Sequence, residues 1–185
     1  FTHKLIESNI KLYKYKWIWV KTKKGNFVNA KNRPMTNFEE VLVFSKGTTA
    51  NCSNNKMVYN PQGLIKTHIV NKDYGTKFGT IIRKSPSHKK ETLQEWTGYP
   101  SDVLYFNSVG KSTHPTQKPV ALFEYLIKTY TNENNTVLDN CMGSGTTGVA
   151  CQHLNRDFIG IELDENYFNI AKQRIEKAHE TKELF

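Results

Sequence analysis

The sequence has 185 residues, 37% hydrophobic and 23% charged, with 26 Lys and Arg against 17 Asp and Glu for a formal charge of +9. That size allows one medium domain with its own core, or one domain with a small insertion; the composition excludes a disordered tail and a disulfide-built miniprotein. No apolar run approaches the roughly 18 residues of a membrane-spanning helix, and Lys4, Glu7 and Lys11 interrupt the apolar stretch a secretory leader needs.

Cys52, Cys141 and Cys151 are odd in number and lack CxxC spacing, the pattern of reduced thiols in a cytosolic protein. The first residue is Phe1, not Met, so the chain is expected to be a piece of something longer. Charge is unevenly spread. Residues 1–46 hold ten Lys and Arg against three Asp and Glu, residues 47–113 nine against four, and residues 114–185 seven against ten. The net values of +7, +5 and −3 point to two jobs, one of them facing a polyanion, with a generally Lys-rich composition as the alternative.

In chain order, Phe1–Asn9 reads as the end of a helix. Tyr15–Val20 alternates Lys with aromatic and β-branched residues and predicts a strand, as does Glu40–Ser45. The two are expected to pair antiparallel across a long polar loop, Lys21–Asn37, carrying Lys21, Lys23, Lys24, Lys31 and Arg33. A connection of that length in a compact domain is usually functional.

Lys46–Thr113 has a different texture, rich in Asn, Thr, Ser, Gly and Lys, with extended pieces only at Gly79–Ile82 and Val103–Phe106. Tyr59, Tyr74, Phe78, Trp96, Tyr99 and Tyr105 argue for an inserted recognition segment over the alternative of a disordered linker.

From His114 the pattern becomes α-β-α-β-α. His114–Pro119 opens a helix with Phe123, Leu126, Ile127 and Tyr130 on one apolar face. Thr136–Asp139 predicts a short buried strand, followed by a Gly-rich turn and a helix to about Leu154. Phe158–Glu162 predicts a second buried strand, parallel to the first. Asp164 then caps a final helix with Tyr167, Ile170, Ala171, Arg174, Ile175 and Ala178 at helical spacing.

Gly143, Gly145 and Gly148 fit G-x-G-x-x-G, and Glu162 ends the next strand. Small residues let the chain turn sharply after a strand and approach a ligand, while the following helix offers unpaired N–H groups. An acid at the next strand tip suits ribose hydroxyls. A dinucleotide, a mononucleotide and S-adenosylmethionine all fit that layout; a P-loop does not, since no G-K-[ST] follows. Only 37 residues follow Gly148, too few for the second half that a dinucleotide fold requires unless the fold is permuted. Asp139 beside the turn suits a cationic methionyl group better than a pyrophosphate. Both points favour S-adenosylmethionine.

The run Thr136-Val-Leu-Asp-Asn-Cys-Met-Gly-Ser-Gly-Thr-Thr-Gly-Val-Ala150 resembles the cofactor loop of the amino-group DNA methyltransferases. His114-Pro-Thr-Gln-Lys-Pro119 resembles the helix start preceding it in their permuted β class, and Phe158-Ile-Gly-Ile-Glu-Leu-Asp164 the motif after it. Phe1–Asn9, Tyr15–Lys21, Asn29–Pro34 and Glu40–Lys46 resemble segments that follow the catalytic motif in that class. The resemblance covers nearly the whole chain.

It implies an α/β, Rossmann-like S-adenosylmethionine-dependent methyltransferase fold with circularly permuted motif order, an incomplete sheet and an inserted target-recognition segment. Residues 1–46 would be the amino-terminal part of the core, 47–113 the target-recognition insert, and 114–185 the cofactor-binding part. It implies that Asp139, Gly143, Gly145, Thr146 and Thr147 surround the methionyl end of S-adenosylmethionine, and that Cys141 and Ser144 also contact the cofactor. Glu162 would bind the ribose, and His114, Thr116, Lys118 and Pro119 would close over the cofactor. Cys141 departs from the family, many members of which have Phe there; a small contact replaces a large one. Lys21, Lys31 and Arg33 would approach double-stranded DNA or its extruded base. Some relatives pair, and a cognate restriction endonuclease is the expected functional partner.

The implied reaction is methylation of an exocyclic amine, adenine N6 with cytosine N4 as the alternative. Family members carry out the transfer with [Asp/Asn/Ser]-Pro-Pro-[Tyr/Phe/Trp], which withdraws the amine's hydrogens and stacks on the flipped base. No Pro-Pro occurs here: the prolines stand at 34, 61, 86, 100, 115 and 119. The catalytic motif is therefore expected upstream of Phe1, and this stretch alone is expected to be inactive. A non-catalytic remnant that binds DNA or cofactor is the other reading.

Overall fold

The computed structural model describes residues 1–72, 91–110 and 114–183. They fall into two compact units, one built from 1–60 and 101–185, the other from Pro61–Pro100. The expected extended piece Gly79–Ile82, with Tyr74 and Phe78, lies outside the described residues.

The larger unit opens with helix α1 (Thr2–Ser8) and strands β1 (Tyr13–Gly25) and β2 (Thr36–Phe44). β1 pairs antiparallel with β2 on one side and parallel with β5 (Val103–Tyr105) on the other. Alternation along β1 explains its two faces: Trp17 and Trp19 are buried while Lys14 and Lys16 are not. The tryptophans join Val43 of β2, Leu104 of β5 and Leu122 of helix α2 (Val120–Tyr130) in one core cluster. Their indole N–H groups are satisfied, Trp17 by the Tyr130 hydroxyl and Trp19 by the Phe106 carbonyl.

β1 runs further than expected. Lys21, Lys23 and Lys24 stand on the strand and not in the loop, because the ladder to β2 resumes at Gly25–Thr36 and Ser108 caps Thr22 and Lys23 from the far side. The actual connection is 26–35, with a short 3-10 turn at Phe27–Asn29.

α2 packs on two sides: Ile127 of the expected stripe is buried, Phe123, Leu126 and Tyr130 are partly buried, and Leu122 and Thr129 are buried outside that stripe. Leu122 faces the tryptophans, while Ile127 meets Ala150 and Cys151 of helix α3 (Thr146–His153). Asn60 caps the end of α2, donating its backbone N–H to Thr129 O at 2.7 Å and its amide to the Lys128 and Thr131 carbonyls.

Strands β6 (Thr136–Asp139) and β7 (Asp157–Gly160) pair in parallel, as expected, and helix α4 (Glu165–Glu183) follows. The Asp164 carboxylate accepts the Tyr167 N–H at 3.0 Å, the expected cap. The strands themselves are not buried on both faces. Val137 and Phe158 pack toward α3, but Leu138 is 62% exposed and Ile159 54%. An apolar run reads as doubly covered only when both faces of the sheet have helices; among the described residues one face has them.

The smaller unit is an antiparallel hairpin of β3 (Ile65–Lys72) and β4 (Glu91–Thr97), neither of which the sequence pattern singled out. None of its described residues belongs to the buried core, and Ile65, Ile69, Leu93, Trp96 and Tyr99 are exposed. Among the described residues, no helix is long and apolar enough to cross a membrane.

Candidate functional site

The site forms where β6 turns into α3. Asp139, the last residue of β6, accepts the Cys141 N–H on Oδ1 at 3.1 Å and the Thr147 hydroxyl on Oδ2. One carboxylate thus ties the strand end to the first turn of α3. Gly143 and Gly145 carry φ of 54° and 74°, a region that side chains beyond glycine rarely adopt. At Gly145, the residue capping α3, a Cβ would also stand 2.8 Å from Ala171 Cβ. Two backbone bonds clamp the turn to the strand beside it, Met142 N–H to Ile161 O and Ile161 N–H to Asp139 O.

Glu162 reinforces that clamp. Its Oε2 accepts the Gly143 N–H at 2.7 Å, and its Oε1 accepts those of Leu163 and Asp164 at 3.0 Å each. The backbone N–H of Asp164, then that of Gly143, holds the carboxyl below the usual range.

The opposite wall is the His114–Pro119 run. The Thr116 N–H donates to His114 Nδ1 at 3.2 Å, so the neutral ring carries its proton on Nε2. The ring sits edge-on to Tyr167, with centroids 4.2 Å apart, and Nε2 faces Gly143, where a Cβ would lie 3.5 Å away. The Thr146 hydroxyl donates to Lys118 O at 3.4 Å and joins the two walls.

Between them lies a cavity of about 410 Å³. His114, Thr116, Lys118, Asp139, Cys141, Gly143, Ser144, Thr146 and Thr147 line it. Pro119 instead caps α2, Gly145 caps α3, and Glu162 stands behind Gly143. Gln117, Phe123, Leu138 and Met142 also line it, beyond the residues expected at the site. Gln117 and Met142 sit inside the motifs themselves, and Leu138 alternates with the inward Val137; only Phe123 had no signal beyond its helical stripe.

A second cavity, about 300 Å³, shares Thr116, Gln117 and Lys118 with the first. Lys21, Lys23, Lys24 and Glu39 line it beside Trp19. Glu39 pairs with Lys21 through Oε1 at 3.1 Å and with Lys118 through Oε2 at 3.2 Å. Burial pushes the Glu39 carboxyl up, but the two ammonium groups outweigh it and hold it below its ordinary value. Lys23 donates to the Val109 and Gly110 carbonyls. Lys31 and Arg33 are exposed on the 26–35 turn, away from this lining.

Residues 3–173 match the family model described as DNA methylase. The chain is 48% identical over 100 residues to the type II methyltransferase M2.DpnII of Streptococcus pneumoniae, covering 54% of this chain and 36% of that protein. It is 50% identical over 97 residues to the type II methyltransferase M2.LlaDCHI of Lactococcus lactis subsp. cremoris, covering 52% of this chain and 35% of that protein. The matched stretches thus span little more than a third of these relatives. The structure of the M1.HpyAVI–SAM complex superposes with a TM-score of 0.58 at 31% identity, covering 93% of this chain and 66% of that one. The cytosine-N4-specific PvuII DNA methyltransferase shares the fold, with a TM-score of 0.59 at 16% identity, covering 97% of this chain and 59% of that one.

Proposed function

The chain belongs to the DNA methylase family, and from that premise we propose that it supplies the cofactor- and DNA-binding parts of a site-specific DNA methyltransferase. The methyl donor is S-adenosylmethionine, and the acceptor is the exocyclic amine of a flipped base, adenine N6 in the first instance. The observation that carries this reading is the cavity framed by the Asp139–Thr147 turn and the His114–Lys118 wall, with Glu162 behind Gly143.

The residues present fit that cofactor. The volume suits a small-molecule ligand, and a side chain at Gly143 would project toward His114 Nε2 and narrow the space. Bound there, S-adenosylmethionine would supply a methyl group made electrophilic by its sulfonium. Asp139 supplies negative charge at the turn, while its bonds to Cys141 and Thr147 keep that turn closed. Glu162 has about four acceptor positions as a carboxylate and uses three on backbone N–H groups. One remains for a ribose hydroxyl; engaging two would displace a backbone bond. His114 offers its Nε2 proton from the facing wall.

Lys21 at the second cavity, with Lys31 and Arg33 on the exposed turn, would meet the DNA backbone. Residues 47–113, which contain the Pro61–Pro100 hairpin unit, would read the target. Pairing of two chains and a cognate endonuclease belong to the same reading. Residues 1–185 contain no Pro-Pro, so the group that withdraws the amine's hydrogens would be supplied by residues outside them.

Incubating the chain with methyl-labelled S-adenosylmethionine and DNA tests this. Binding without transfer is expected from residues 1–185 alone, and transfer to adenine N6 from a protein that also carries the tetrapeptide. Label in DNA from residues 1–185 alone would overturn the assignment of the missing group. Label on cytosine N4 would replace the base but keep the site.

A further inference from the structure

Arg174 stands on α4, half-buried, where helical spacing alone calls for an apolar residue. Its Nη1 donates to both the carbonyl and the hydroxyl oxygen of Ser144, the latter at 2.9 Å. Ser144 is 3% exposed and lines the larger cavity. Burial disfavours the charged guanidinium and lowers its pKa, and among the described residues no carboxylate pairs with it. A desolvated cation without an acid is costly. It sits beside the start of α3, where the helix dipole adds to that cost. A packing role would be better served by Met or Leu, so the position calls for another explanation.

Its neighbours on α4 point the same way. Tyr167, Ala171 and Arg174 lie on one helix face, and each touches a different part of the cavity frame. Tyr167 abuts His114, Ala171 lies under Gly145, and Arg174 holds Ser144. The Ser144 hydroxyl accepts the Arg174 N–H and so has its own proton left to donate elsewhere.

We propose that Arg174 is a positioning residue that holds the 142–145 turn in its ligand-ready shape and orients the Ser144 hydroxyl, and so strengthens cofactor binding. The effect on affinity rests on the cofactor reading above; the hold on the turn does not.

The test uses the full chain with Arg174→Met and Arg174→Lys, plus Arg174→Gln should the Met variant fail to fold. Amide hydrogen exchange is read without ligand, and S-adenosylmethionine binding by calorimetry. Losing bonds from a charged donor is worth roughly tenfold or more. Arg174→Met should therefore raise exchange at 142–146 by about that factor, leave β1 protected, and weaken binding by a similar factor. Arg174→Lys, which keeps a cationic donor, should recover part of both losses. Wild-type exchange at 142–146 in Arg174→Met, or a rise equal throughout the chain, overturns the proposal. If wild type itself does not bind S-adenosylmethionine, the cofactor reading falls, while the exchange result still decides whether Arg174 holds the turn.

Discussion

Glu162 Oε2 accepts the Gly143 N–H at 2.7 Å, so the acid that follows β7 reaches sideways to the turn that follows β6. The two parallel strands are thereby joined beyond their ladder, at the edge of the cavity. A carboxylate that accepts three backbone N–H groups is best as an anion, and its pKa is lowered accordingly.

The sign of the pH effect follows. A carboxyl depressed on folding contributes stability above its unfolded pKa and loses it as pH falls through the folded value. Wild type should lose stability below the ordinary carboxylate range, and Glu162→Gln should flatten that acid limb. Denaturation midpoints measured from that range downward in pH check it, and parallel acid limbs would contradict it.

Gly145→Ala tests the seat of the turn on α4. A positive φ costs an alanine roughly 1–2 kcal/mol, and the 2.8 Å approach to Ala171 Cβ adds overpacking of about 1–3 kcal/mol. A fall in melting temperature is expected, with weaker cofactor binding. Unchanged stability would show that α4 gives way at no cost.

Much of this arrangement is legible in the residues. Thr136–Asp139 is a strand as read, because a short apolar run stands just before the Gly-rich turn. Asp164 caps α4 as its side chain and position suggest. What fails does so for physical reasons. Ile65–Lys72 and Glu91–Thr97 form a hairpin without burying a core, so their polar alternation gives a weak signal. The cationic run Lys21–Lys24 reads as loop, yet the ladder and Ser108 hold it extended. The exposed Leu138 and Ile159 read as buried because local pattern does not reveal whether both faces of a sheet are covered. Of the cavity, the motif residues are readable and their mutual bonds are not: nothing local says that Glu39 joins Lys21 to Lys118.

That ion-pair triad makes its own prediction. Glu39 neutralises part of a lysine-lined cavity. Glu39→Gln frees both ammonium groups, so DNA binding should tighten at low salt and fall more steeply as salt rises. Lys21→Ala should make the log–log salt slope shallower by about one. Binding titrations at several salt concentrations check both, and three identical slopes would exclude Lys21 as a phosphate contact.

The cysteines report on the cavity. Cys52 and Cys141 are exposed, whereas burial pushes the Cys151 thiol up to about 11. A thiol reagent should modify Cys52 and Cys141 first, and S-adenosylhomocysteine should slow Cys141 alone. Mass spectrometry of timed samples reads this directly. Equal slowing at Cys52, or none at Cys141, would place the ligand elsewhere.

The central claim is that the Gly143–Glu162 junction builds an S-adenosylmethionine site, and calorimetric titration of the full chain measures it most directly. One cofactor per chain is expected, with Glu162→Ala weakening binding by about tenfold or more through the lost charged acceptor. An absence of binding to wild type, or a Glu162→Ala variant that binds as wild type does, would contradict it.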